Sequence, residues 1–259
     1  MSQLPPLGVT NLVGASCSIL NKKFLPVLVA AYVPYLILAL ISNSMMSAIF
    51  QNALANPNDP FAIFGSEYFI FLGVTSVFGI LLFSFVALLC GTVVQGAPLN
   101  IGENLSVILK RSLILILVSV LVYLGMGVGF MLFIIPGLIL MAAWSVAIPS
   151  ILFENRGFDA IGYSFDLTQG YRWPIIGGFL LLGIVLGVVS FIVQFVLGFG
   201  IAATDPAAAM LEQPIWLVVL NTVFTAVYVV ILTLFTVLLY TRLKDIKEGG
   251  SGNVEEVFA

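Results

Sequence analysis

Histidine is absent from the chain, cysteine occurs twice, and charge is scarce: only 8% of the 259 residues are Asp, Glu, Lys or Arg. Each shortage excludes something. Soluble domains carry about 25% charged residues, so this chain has too little charge to cover a water-facing surface. Without histidine, the commonest metal ligand and neutral-pH proton shuttle is missing. Cys17 and Cys90 lie far apart in the sequence. The topology derived below places both toward a reducing side, where disulfides are rare. They read as small apolar fillers, with lipidation as the alternative for Cys17. There is no glycine-rich phosphate loop, no G-x-S-x-G and no H-E-x-x-H, motifs that carry common phosphate, acyl-transfer and zinc chemistry. The net charge of −3 comes without a basic patch, which argues against a nucleic-acid partner.

What fills the chain is hydrocarbon: 61% of residues are hydrophobic and the mean hydropathy is +1.19. A membrane-spanning helix needs about 20 mostly apolar residues. Six runs qualify, at about 24–50, 67–96, 112–133, 137–153, 173–202 and 215–241. Only Ile134-Ile135-Pro136-Gly137 separates the third from the fourth. Pro-Gly is a turn dipeptide, and proline lacks the N–H a continuing helix needs, so a tight helical hairpin is predicted there. The first run is too long for the apolar segment of a cleavable signal.

Six spans put all nine basic residues on one side: Lys22 and Lys23, Lys110 and Arg111, Arg156 and Arg172, then Arg242, Lys244 and Lys247. The opposite loops carry only Asp59, Glu67, Asp205 and Glu212. The positive-inside rule makes the basic side cytoplasmic and places both termini there.

Three stretches on that side, 9–21, 101–111 and 158–170, have apolar residues at roughly helical spacing. Each predicts a short amphipathic helix lying in the interface ahead of a pair of spans. The expected fold is therefore an all-α membrane domain over 1–248, with three hairpins each preceded by such a helix. Residues 249–259 begin with Gly-Gly-Ser-Gly and read as a flexible tail.

Ionisable residues are missing from the span centres, where an ion-coupled carrier normally keeps them. Thr222, Thr225, Thr233, Thr236 and Tyr240 form a polar stripe in the last span, with Gln194 and Asn43 elsewhere. They read either as a hydrophilic path or as hydrogen bonds between and within helices. Gly125-x-x-x-Gly129 and Gly183-x-x-x-Gly187 have the spacing that lets helices approach closely.

One segment is dense in distinctive residues: Ile135-Pro136-Gly137, Trp144, Pro149, Glu154, Gly157, Ala160, Ser164, Leu167-Thr168, Gly170 and Trp173. It resembles the YciC-type bacterial inner-membrane proteins and the membrane domain found with some glycerophosphodiester phosphodiesterases. The resemblance covers about 40 residues and implies a six-helix bacterial inner-membrane fold. No phosphodiesterase domain accompanies it here, so that activity is not implied.

Within this segment Ser164 and Thr168 share one helix face, and Gly170 suits the helix C-cap. Glu154 and Arg172 are expected at the same depth, so that Glu154 pairs with Arg172 or with a backbone amide of the short helix. Trp173 is expected at the headgroup level. The competing reading is a lipid-headgroup site with Arg156 and Arg172 on its phosphate.

These observations predict a non-enzymatic membrane protein without a cofactor, an accessory or scaffold for lipids or protein partners, homo-oligomers included. A carrier for a lipid-like or neutral solute is the alternative. A lipid-modifying enzyme would have to rely on Glu154 or Asp166.

Overall fold

The computed structural model of the chain describes residues 7–59, 61–204 and 213–249. The elements are α1 (Val9–Ala55), a short 3-10 turn (Ala62–Phe64), α2 (Ser66–Val94), α3 (Ile101–Leu132), α4 (Ile134–Trp144), α5 (Ala147–Glu154), α6 (Asp159–Leu167), α7 (Arg172–Thr204) and α8 (Ile215–Glu248). No strand occurs among the described residues. Six segments there are long and apolar enough to cross a membrane, with α4 and α5 together forming one of them. This is the architecture of a multi-pass membrane protein.

The helices are not equivalent. α2 and α8 are inner helices over their C-terminal halves, where Ser84–Gly91 of α2 and every residue of α8 from Thr233 to Tyr240 are buried. A helix apolar and buried all round belongs to the middle of a bundle. α1, α3 and α7 face outward and expose large apolar side chains, among them Val29, Leu124 and Phe191. α8 packs chiefly against α1 and α2 and touches α7 only over a short stretch. Near the far end of the two helices Gln194 of α7 donates to Asn221 of α8 at 3.2 Å.

Two of the three predicted interfacial helices are not separate elements. α1 runs unbroken from Val9 through Pro26 and Pro34, and α3 runs from Ile101 into the span. Neither junction, Lys22-Lys23-Phe24 nor Lys110-Arg111-Ser112, contains a glycine or proline, and the helical ladder continues across it. Asn100 starts α3 as a cap: its side-chain oxygen accepts the Glu103 N–H, satisfying one of the helix-end donors, and its amide donates to the Glu103 carboxylate. Only the third stretch stands alone, as α6. Gly170, at φ 91°, turns the chain out of it, a conformation glycine adopts without a Cβ penalty.

The reversal between the third and fourth spans also lies one step earlier than predicted. Phe133 alone is extended (φ −161°, ψ 156°), and Ile134 already begins α4. Pro136 sits in the first turn of α4, where a missing N–H leaves no bond unmade. The two helices then press together through glycines. A Cβ on Gly125 would stand 2.5 Å from the Trp144 ring, one on Gly129 would stand 3.1 Å from the Gly137 Cα, and one on Gly137 would enter the Phe130 ring. Gly183 and Gly187 differ: a Cβ at either meets nothing within 4 Å.

Gly249, at φ 67°, ends α8. The rest of the predicted tail, 250–259, and the side chain of Cys17 lie outside the described residues. Cys90 is buried, its Sγ 3.9 Å from the Val230 carbonyl.

Candidate functional site

α5 ends at Glu154, and Asn155 reverses the chain in the left-handed region (φ 57°, ψ 34°). Asparagine is one of the few side chains that tolerate this conformation. The turn brings Arg156 back onto its near neighbour, and its Nε donates to Glu154 Oε2 at 2.6 Å. The other carboxylate oxygen, Oε1, accepts from Tyr240 at 2.5 Å and from Lys244 at 2.6 Å. Both donors lie one turn apart on the same face of α8. Glu154 is 15% exposed and joins α5 to α8 across about 90 residues of chain.

The cluster extends to α6. Arg156 also donates to Asp159 at 3.1 Å, and its guanidinium lies 3.6 Å above the Tyr163 ring. Asp159 opens α6 and accepts the Gly157 N–H at 2.9 Å, a favourable place for negative charge. The Tyr163 hydroxyl has one proton for two carboxylates, Glu248 at 2.6 Å and Glu154 at 3.2 Å. The shorter contact takes it. Burial raises the Tyr163 hydroxyl above its usual range, and the neighbouring Glu248 and Glu154 raise it further, so it remains a donor. Burial alone would lower Arg156, but bonding to Glu154 and Asp159 outweighs it and raises the guanidinium above its ordinary value.

The predicted Glu154–Arg172 pair does not form. Arg172 instead donates to the Phe165 carbonyl at 3.3 Å and stacks 3.9 Å over the Phe165 ring. Lys247 donates to the Asp166 carbonyl at 3.1 Å, so two cations cover the C-terminal end of α6, where the helix dipole favours them. Arg111 does the same for α5, reaching the Ile151 carbonyl at 2.7 Å and the Leu152 carbonyl at 2.6 Å. Trp173 is 68% exposed at the start of α7. Gly157 lies in the turn before α6, and Pro149 is buried within α5.

Ser164 and Thr168 are buried and serve a helix break. Between α4 and α5, at Ser145-Val146, the ladder is interrupted, and Pro149 offers no N–H to the Ser145 carbonyl four residues before it. The Ala143 carbonyl beside the break accepts the Ser164 hydroxyl at 2.8 Å, while Thr168 donates to the Ser164 carbonyl at 2.8 Å with the Ala143 carbonyl also in reach at 3.2 Å. Replacing Ser164 with alanine alone leaves the Thr168 hydroxyl 3.2 Å from the Ala143 carbonyl and free to turn to it, and is expected to cost under about 1 kcal/mol. The double change Ser164→Ala with Thr168→Val strands the carbonyl and is expected to cost about 2 kcal/mol, more than the two single changes together. Thermal unfolding of the three variants in bicelles checks this, and simple additivity would sink it.

Tyr163, Tyr240, Lys244, Lys247, Glu248, Asp159, Arg111 and Asn155 are the members that the sequence reading did not place in the site. For Lys244 a signal existed: Tyr240, Lys244 and Glu248 recur every four residues where α8 leaves its apolar run. Beside the cluster a cavity of about 250 Å³ is lined by Gln95, Phe153, Tyr240, Thr241, Lys244 and Asp245, and Asp245 Oδ2 is buried without a hydrogen-bond partner.

No family model, curated protein or solved structure matches this chain. Its own geometry therefore carries the functional argument. Both carboxylate oxygens of Glu154 are engaged by donors. The cluster acts as a latch that fastens α5, α6 and α8 together.

Proposed function

We propose that this chain is a non-enzymatic accessory or scaffold protein of a bacterial inner membrane, binding membrane lipids or protein partners, with both termini cytoplasmic. The observation that carries the reading is how the polar groups of the spans are used. Thr222, Thr225, Thr233 and Thr236 each donate to a carbonyl four residues back in their own helix. Thr233 is fully buried. The cavity around Thr222 and the one touching Thr236 share no lining residue. A stripe spent on its own helix and interrupted by a buried residue is a poor water path. Arg111, Arg156, Arg172, Lys244 and Lys247 gather around the same short helices, as cytoplasm-facing cations do.

The carrier reading has one observation in its favour. A cavity of about 740 Å³ at the other end of α8 is lined by uncharged polar groups, including Asn43, Ser47, Asn221, Thr222 and Thr225.

Native mass spectrometry of the protein released from native-membrane nanodiscs tests the proposal. A protein partner at fixed stoichiometry, or a discrete phospholipid that Arg172→Ala releases, is the expected result. Protein that emerges bare and moves a neutral solute across proteoliposome membranes would overturn it in favour of the carrier.

A further inference from the structure

A cavity of about 400 Å³ lies among α2, α3, α4, α5, α7 and α8, within the roughly 300–1,000 Å³ of small-molecule sites. Its walls carry the rings of Phe83, Trp144, Phe179 and Tyr228, and no charged residue. Leu180, 48% exposed, and Tyr123, 56% exposed, stand at its rim. Both lie in spans, so the mouth faces hydrocarbon and a ligand would enter sideways from the bilayer.

At the inner wall is Ser119, 2% exposed, whose hydroxyl has no hydrogen-bond partner. Its neighbours in kind are all satisfied. Ser84, Ser145 and Ser150 donate to carbonyls of their own chain turn, and Thr236, in the same cavity wall, does so too. A buried hydroxyl without a partner costs about 1–3 kcal/mol. A bare acyl chain would fill the space and leave that cost in place. A ligand that removes it must bring an acceptor to mid-span depth, be neutral, and present a flat face to the rings.

We propose that this cavity is a binding site for a neutral, membrane-soluble carbonyl compound of the quinone type, its ring among Trp144, Phe179 and Tyr228 and one carbonyl on the Ser119 hydroxyl. The site needs only the membrane placement of the helices and does not depend on the accessory role proposed above.

Trp144 is a built-in reporter. The other two tryptophans, Trp173 and Trp216, are 68% and 57% exposed and are replaced by phenylalanine. Decylubiquinone is then titrated into nanodiscs holding the full chain. Saturable quenching of Trp144 is expected. Ser119→Ala should weaken the apparent affinity about five-fold, the value of one hydrogen bond. Gly183 lines the cavity with open space at its Cβ position, so Gly183→Leu should remove the saturable component while thermal unfolding stays unchanged. Quenching that rises linearly with quinone and is the same in both variants would mean partition into lipid and would overturn the site. Equal displacement by decylbenzene, which has the tail and ring without a carbonyl, would also overturn it by showing a simple chain pocket.

Discussion

Replacing Glu154 with alanine is expected to destabilise the bundle by about 2–3 kcal/mol. Removing one member of a buried, hydrogen-bonded ion pair costs about 3–5 kcal/mol because the remaining charge is stranded. Here the loss is smaller, since Lys244 is 39% exposed and Arg156 30% exposed, and exposed cations recover water. Tyr240 is buried and loses its acceptor outright. Glu154→Gln keeps an acceptor oxygen and should cost about half as much. The effect should be local as well as global. Without the latch, the turn at Asn155-Arg156 loosens, and trypsin should cut after Arg156 in the folded protein. Unfolding in bicelles and limited proteolysis read the two effects. Unchanged unfolding and an uncut Arg156 in the alanine variant would show that the cluster does not hold α6 in place.

Gly129→Leu is expected to have an effect of similar size by a different route. The new Cβ would stand 2.8 Å from a Leu140 methyl, 3.1 Å from the Gly137 Cα and 3.3 Å from the Gly137 nitrogen. The methyl can rotate away, but the backbone of α4 cannot. Overpacking costs about 1–3 kcal/mol, and the backbone obstacle places this variant near the top, at about 3 kcal/mol. Gly183→Leu provides the matched control, because its Cβ meets nothing. Differential scanning fluorimetry should show a lower Tm for the first and little change for the second. Equal Tm values would mean that the α3–α4 contact is looser than the backbone spacing implies.

Those two glycines show where the sequence was legible and where it was not. Both occur in the same small-xxx-small spacing, and only the partner across the interface distinguishes them. Gly125 and Gly129 face α4 because Phe133 folds the chain back immediately. Gly183 faces a cavity. The spans themselves were readable because twenty apolar residues in a row leave few alternatives. The extent of α1 and α3 was not, since amphipathic spacing reports which face is apolar and does not report where a helix stops.

The latch was half legible. Glu154 stood out as an acid closing an apolar run, but charge and depth alone nominated Arg172 as its partner. The pairing was decided by Asn155, whose left-handed turn presents Arg156, and by the rotation of α8, which presents Tyr240 and Lys244. Neither is visible without a neighbour in space. Ser164 and Thr168 were correctly placed on one face. Their use became clear only once the break near Pro149 freed a carbonyl for them.

Glu154 is also separated in time from its partners on α8. A ribosome adds about 5–20 residues per second, so the 90 residues between Glu154 and Lys244 take about 5–20 s to appear. Through that interval α4 and α5 can already be in the bilayer with the Glu154 carboxylate lacking its partners on the last helix. The arrival of Tyr240 and Lys244 closes the latch. A chain that stalls before the last helix has only Arg156 and Tyr163 to hold Glu154, so its short helices stay tied to each other and to no inner span.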